Sequence, residues 1–257
     1  MIAAYTAGKQ GARSAARDAS AVVVVDAFRA STTIALLVSK GARVIPVASV
    51  EEAASYVGAD YRIGERGSAK AEEGFDFGNS PTEIEASELV SDATVVLSTT
   101  NGTQIIEAAR GAPLILTGAF VNAHAVADAL ATGAWGELVT MIGCGWEGSW
   151  ASEDESAAGA ILQRLKEKGA MLDEQAERVV DLYLRCPKES LRRNSRCPAS
   201  QAPRLRRGPR LLPRREYRAG CAPACGRCLC WPRIAGVWPD GRNEGREMGQ
   251  NVRQKYP

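Results

Sequence analysis

A chain of 257 residues, 45% hydrophobic and 24% charged, has the size and make-up of a globular protein with one large domain or two small ones. No apolar run approaches the roughly 18 residues of a membrane helix. Residues 1–20 lack the basic start and apolar core of a signal peptide, so no membrane partner is expected and the cytoplasm is the expected compartment. The net charge of +2 hides two unlike parts. Residues 1–185 carry 15 Lys and Arg against 25 Asp and Glu; residues 186–257 carry 17 against 5, with nine of the 12 prolines and six of the seven cysteines. A shift this abrupt sets a boundary near Arg185.

In chain order, Val22–Asp26 reads as a buried strand, because a strand covered on both faces is an unbroken apolar run. Ser31–Ser39 follows as a helix. Val44–Val47 is a strand, and Val50–Val57 a helix opened by Ser49 as N-cap, with Glu51 and Glu52 in its first turn. Tyr61–Gly64 is a short strand, and Thr82–Val90 a helix after Pro81. Thr94–Ser98, Leu114–Thr117 and Leu138–Ile142 are strands, each followed by a helix: Gly102–Arg110, Ala123–Ala131 and Ser152–Lys168. A last helix runs from Asp173 to Leu184. Strands alternating with helices predict an α/β domain over residues 1–185 with a mostly parallel sheet covered on both faces. No internal repeat is visible.

Residues 186–257 show no apolar period. Arg192-Arg193, Arg204 to Arg207 and Arg214-Arg215 lie among scattered prolines. Such runs neutralise nucleic-acid phosphates, but the acidic main part opposes this and no nucleic-acid partner is expected. Cys221, Cys225, Cys228 and Cys230 lack the paired spacing of a zinc knuckle. An excess of Arg, Pro, Ala, Gly and Cys is what GC-rich DNA yields when read in a wrong frame. Moving the frame of Arg196–Pro223 by one nucleotide, with GC-rich codons, permits a helix, an acidic turn, a second helix and a strand. As written, the tail is expected to be disordered.

In open α/β sheets, ligands bind beyond the carboxyl ends of strands, at helix N-termini, and most polar clusters of this chain fall there. Asp26 ends a strand, Arg29 follows, and Ser31, Thr32 and Thr33 open a helix. Glu65, Arg66 and Gly67 come after Tyr61–Gly64. Asp76, Asn79 and Ser80 lie in Gly74–Pro81, and Thr99, Thr100, Asn101, Gly102 and Thr103 follow Thr94–Ser98. Asn122 and Cys144 follow later strands, and Asp154 stands in the first turn of Ser152–Lys168. Gly-rich turns offer amides to anions, and Arg offers a bidentate clamp. Asp26, Glu65, Asp76 and Asp154 could hold Mg2+, a hard ion that prefers oxygen. Plainer readings stand beside these: Asp26 as a helix cap, Asn101-Gly102 as a turn, and Phe75 and Phe77 as core. Ser80 reads as a cap before Pro81, Cys144 as a buried small residue and His124 as structural. No P-loop is present, and no G-x-G-x-x-G follows a strand. Asp26 lacks the second Asp of aspartyl-phosphate phosphatases, and Trp150 stands where a Cys144 phosphatase loop needs Arg.

Six blocks occur in order: Asp26 to Thr33, Gly64 to Gly67, Gly74 to Pro81, Thr99 to Thr103, Gly118 to Asn122, and Ser152-Glu153-Asp154 through Ala158-Gly159. Together they resemble the 2-phosphosulfolactate phosphatase family over about residues 20–185. The resemblance implies a three-layer α/β/α fold with a mostly parallel or mixed sheet. It implies Mg2+-dependent hydrolysis of (R)-2-phospho-3-sulfolactate to 3-sulfolactate and phosphate, in coenzyme M biosynthesis, or of a related phosphorylated acid. On this reading Asp26 and Asp76, with Glu65 or Asp154, hold Mg2+, and Arg29 and Arg66 neutralise the phosphate. Ser31, Thr32, Thr33, Gly67, Asn79, Ser80, Thr99, Thr100, Asn101, Gly102, Thr103 and Asn122 bind the small polyanionic substrate. The attacking group is water or an enzyme nucleophile, and a homodimer is a further expectation. Beyond Arg185 the chain departs from the family, although the tail in its shifted frame resembles the family's C-terminus. The alternative to an active phosphatase is an impaired remnant that binds small anions.

Overall fold

Small and β-branched apolar runs build the strands of this protein, and helices connect them. The structure, a computed structural model, describes residues 1–65, 71–145 and 150–185. In order these form β1 (Ile2–Ala7), α1 (Gly8–Arg17), β2 (Ala21–Val25), α2 (Ala30–Ser39), β3 (Arg43–Val47), α3 (Val50–Ser55) and β4 (Tyr61–Gly64). There follow α4 (Pro81–Ala86), β5 (Thr94–Ser98), α5 (Gly102–Ala108), β6 (Ile115–Gly118), a 3-10 turn (Phe120–Asn122) and α6 (Ala123–Ala131). The last elements are β7 (Leu138–Gly143), α7 (Ser152–Glu167), β8 (Met171–Leu172) and α8 (Glu174–Arg185).

All strand pairings among the described residues are parallel, as helical crossovers require. Where the sequence suggests one sheet, the strands form two. One has the order β6-β2-β7-β1-β8 and the other β3-β5-β4. Apolar runs say that a strand is buried but not which neighbour it takes, so this division is absent from the pattern. In the larger sheet the helices lie on both faces. Val23, Val25, Val139 and Met141 pack on α6, α7 and α8 through Val126, Leu130, Ile161, Leu162 and Val179. Val22, Val24 and Ile142 pack on α1 and α5 through Ala12, Ala15, Ile105 and Ala109. This is the expected three-layer α/β/α arrangement. The smaller sheet is covered likewise, by α2 and α4 on one side and α3 on the other.

β1 and α1 escape the sequence pattern because α1 buries only alanines and β1 buries only Ala3 and Tyr5. α4 is shorter than predicted. Ser87 closes it with its hydroxyl, which donates to the Ile84 carbonyl at 2.7 Å. No helix among the described residues is long and apolar enough to cross a membrane.

Candidate active site

The chain leaves β2 at Val25 and turns sharply into α2, and this turn holds the first half of the site. The Oδ1 of Asp26 accepts from the Ala30 amide at 3.2 Å. Ser31 Oγ accepts from the Asp26 amide at 3.0 Å and donates to the Val24 carbonyl at 3.1 Å. Thr32 Oγ1 donates to the Ala27 carbonyl at 2.8 Å. The hydroxyl protons of Ser31 and Thr32 thus hold the turn that carries Asp26 and Arg29.

Two loops of the smaller sheet close on this turn. α5 begins at Gly102, and a Cβ added there would stand 2.9 Å from Asp26 Oδ2 and 2.9 Å from Ala30 Cβ. Only glycine permits that approach. Behind it, Thr99 and Thr103 lock the turn: each hydroxyl accepts the other's amide, at 3.3 and 3.2 Å, and Thr103 Oγ1 donates to the Thr99 carbonyl at 2.9 Å. Thr100 is exposed, and the Asn101 side chain makes no cap bond to the helix it precedes. From the end of β4, Glu65 pairs with Arg29 at 3.0 Å. Asn79 Nδ2 donates to Glu65 at 3.3 Å, and Thr33 Oγ1 donates to Asn79 Oδ1 at 2.7 Å.

Asp154 joins the loops after two neighbouring strands of the larger sheet. Its Oδ1 accepts from the Ala27 amide at 2.8 Å, and its Oδ2 from the Gly145 amide at 2.9 Å. It is buried. Burial pushes its carboxyl well above the usual carboxylate range, and the charge of Asp26 adds to this, while the two amides oppose it. Asp26 is also raised by burial, against the Ala30 amide and the Arg29 charge. Burial likewise raises Glu65, although Arg29 and Asn79 pull it down. Burial and the charges of Asp26 and Asp154 raise the Cys144 thiol, which argues against a thiolate nucleophile there, although the residue is only half-buried. Tyr5 was not singled out by the sequence, because β1 was not legible. It is buried beside Asp154, Glu155 and Cys144, and burial raises its phenol.

Asp26, Arg29, Thr33, Glu65, Asn79, Gly102 and Asp154 therefore come together. Asp76 stands outside this group: it is exposed and accepts from the Arg62 amide at 2.7 Å, on the flank of β4. Ser80 caps α4 by accepting from the Glu83 amide at 3.4 Å. Asn122 binds its own turn, accepting from the Ala119 amide at 2.8 Å and donating to the Thr117 carbonyl at 2.9 Å. Arg66, Gly67 and residues 186–257 lie outside the described residues.

Among the described residues no three His, Cys, Asp or Glu side chains form a ready cage for a metal. Mg2+ commonly takes one or two carboxylates and completes its shell with water and phosphate oxygens. The charge of Asp26 reaches Asp154 and raises its carboxyl, and a cation beside the two would relieve that repulsion.

The family profile described as 2-phosphosulpholactate phosphatase matches residues 8–207. The probable 2-phosphosulfolactate phosphatase of Synechococcus sp. strain JA-2-3B'a(2-13) is 43% identical over 149 residues, 56% of this chain and 60% of the relative. That of Gloeobacter violaceus is 42% identical over 158 residues, 59% of this chain and 65% of the relative. The chain spans about three-fifths of the length of the curated relatives it matches. With a profile match over most of its length, the chain belongs to the 2-phosphosulfolactate phosphatase family.

Proposed function

We propose that the protein hydrolyses the phosphate monoester of (R)-2-phospho-3-sulfolactate, or of a related small phosphorylated acid. In net terms the P–O ester bond breaks, and a proton from water goes to the ester oxygen, which leaves as the 2-hydroxyl of 3-sulfolactate. The remaining hydroxyl of that water joins phosphorus in inorganic phosphate, by direct attack of water or through an enzyme nucleophile. The observation that carries this reading is the meeting of the Asp26–Thr33 turn with the Thr99–Thr103 turn, where Gly102 abuts Asp26. Phosphate monoesters hydrolyse extremely slowly unaided, so catalysis rests on positioning and on stabilising charge. Arg29, held at the mouth of the turn, neutralises phosphate oxygens, and Arg66 is a second candidate for that task. The Asn101 side chain adds a neutral donor. Asp26 and Asp154 would hold Mg2+, which would supply further neutralisation of the substrate's charge. The reading includes a place in coenzyme M biosynthesis, a cytoplasmic location and a homodimer.

The test is phosphate release from (R)-2-phospho-3-sulfolactate by the full chain, with Mg2+ and then with excess EDTA. The expected result is turnover that EDTA abolishes and added Mg2+ restores. Turnover indifferent to EDTA would remove the metal, and absence of release from any small phosphorylated acid would remove the hydrolase. The three-fifths span of the relatives favours one second reading, an anion-binding remnant without turnover. Calorimetric binding of inorganic phosphate without phosphate release would identify it.

A further inference from the structure

Glu65 uses both carboxylate oxygens inside the protein. Oε2 accepts from Arg29 Nη2 at 3.0 Å and Oε1 from Asn79 Nδ2 at 3.3 Å. Asn79 is itself fixed, because its Oδ1 accepts from the Thr33 hydroxyl at 2.7 Å. The Glu65 carboxylate only accepts, so the amide turns its NH2 toward Glu65 and its oxygen toward the Thr33 hydroxyl. Thr33 and Asn79 are both buried. The series starts on α2, crosses to the segment before α4, passes to the end of β4 and returns to Arg29, the residue before α2. It ends on a guanidinium whose Nε is buried with no partner among the described residues, leaving donor capacity for an anion. The Arg29 and Glu65 side chains are only 18% and 13% exposed, so the pair is shielded from the solvent that weakens surface ion pairs.

We infer that Glu65 and Asn79 are positioning residues, which fix the Arg29 guanidinium for the anion and touch neither substrate nor metal. The smaller sheet thereby sets the placement of the phosphate at the end of the larger one. The anion's identity as a reacting phosphate rests on the function proposed above; the positioning role does not.

The experiment is a double-mutant cycle in the full chain. Glu65→Ala and Asn79→Ala are made singly and in an Arg29→Ala background, with folding checked by circular dichroism. Calorimetry gives the affinity for inorganic phosphate, and a parallel assay gives kcat/KM for phosphate release. Each single substitution is expected to cost about tenfold in both quantities, the scale of one charge-assisted hydrogen bond. In the Arg29→Ala background the same substitution should cost less than about twofold, because its only route of action is gone. Equal losses in the two backgrounds overturn the inference. So does a rise of about tenfold in the Mg2+ concentration needed for half-maximal thermal stabilisation of Glu65→Ala, which would make Glu65 a metal ligand. If Glu65→Ala fails to fold, Asn79→Ala decides alone. Phosphate binding with an intact cycle but no phosphate release removes the hydrolase and leaves the positioning role; no phosphate binding removes both.

Discussion

Gly102 and the buried carboxylates decide what single residues do in this site. Gly102→Ala would bring a methyl group to 2.9 Å from Asp26 Oδ2 and from Ala30 Cβ. It should cost about 1–3 kcal/mol in a melt, as overpacking does, and lower phosphate release by about tenfold or more by displacing Asp26. Asp26, Asp154 and Glu65 are all raised by burial, so the folded chain keeps protons that the unfolded chain releases near pH 4. Their contribution to stability is therefore full below about pH 4 and is lost as pH rises through their native values. Thermal melts from about pH 4 to pH 8 should show Asp154→Asn less stable at the acid end, where it lacks one acceptor for the two amides. The deficit should narrow as pH rises. A deficit that widens would contradict the raised carboxyl. The place of Asp26 at a strand end was legible, since an apolar run followed by Asp is a local signal. Its neighbours carried no local signal and were grouped with it only through the family resemblance. Glu65 meets Arg29 across 36 residues of chain, and Asp154 meets Ala27 across 127. Asp76 illustrates the converse: it lies in a block with Asn79, yet its carboxylate binds the backbone of β4 outside the cluster.

Among elements, those with strong runs and caps were legible. β5 matches its predicted span, and α3 starts where Ser49 marks it, with Ser49 accepting from the Glu52 amide at 3.1 Å. β1 and α1 were missed because they bury little more than Ala3, Tyr5, Ala12 and Ala15, without a run of large apolar residues, and the division into two sheets was missed because pairing is non-local. The contact between α7 and α8 depends on one small residue. A Cβ at Gly159 would lie 2.5 Å from the Val179 carbonyl oxygen and 2.6 Å from Tyr183 Cβ. Backbone cannot swing aside as a side chain does, so Gly159→Ala should separate the helices and cost about 1–3 kcal/mol in a denaturant melt. An unchanged midpoint would show that the two helices do not pack this closely.

At the scale of the molecule, the site lies where an α/β fold puts one, at the carboxyl ends of β2 and β7, which are neighbours in the sheet although far apart in sequence. The smaller sheet completes it by supplying Gly102, Glu65 and Asn79. Nothing about that union is visible in composition; it follows from the order of the blocks once the two sheets are in place. The central claim is that this union is where a phosphate monoester is cleaved, and Asp26→Asn tests it most directly because it keeps the side chain's shape and removes its charge. Phosphate release from (R)-2-phospho-3-sulfolactate in Mg2+ should fall to the level seen with excess EDTA, in a variant whose circular dichroism is unchanged. Turnover equal to that of the unsubstituted chain would contradict the account.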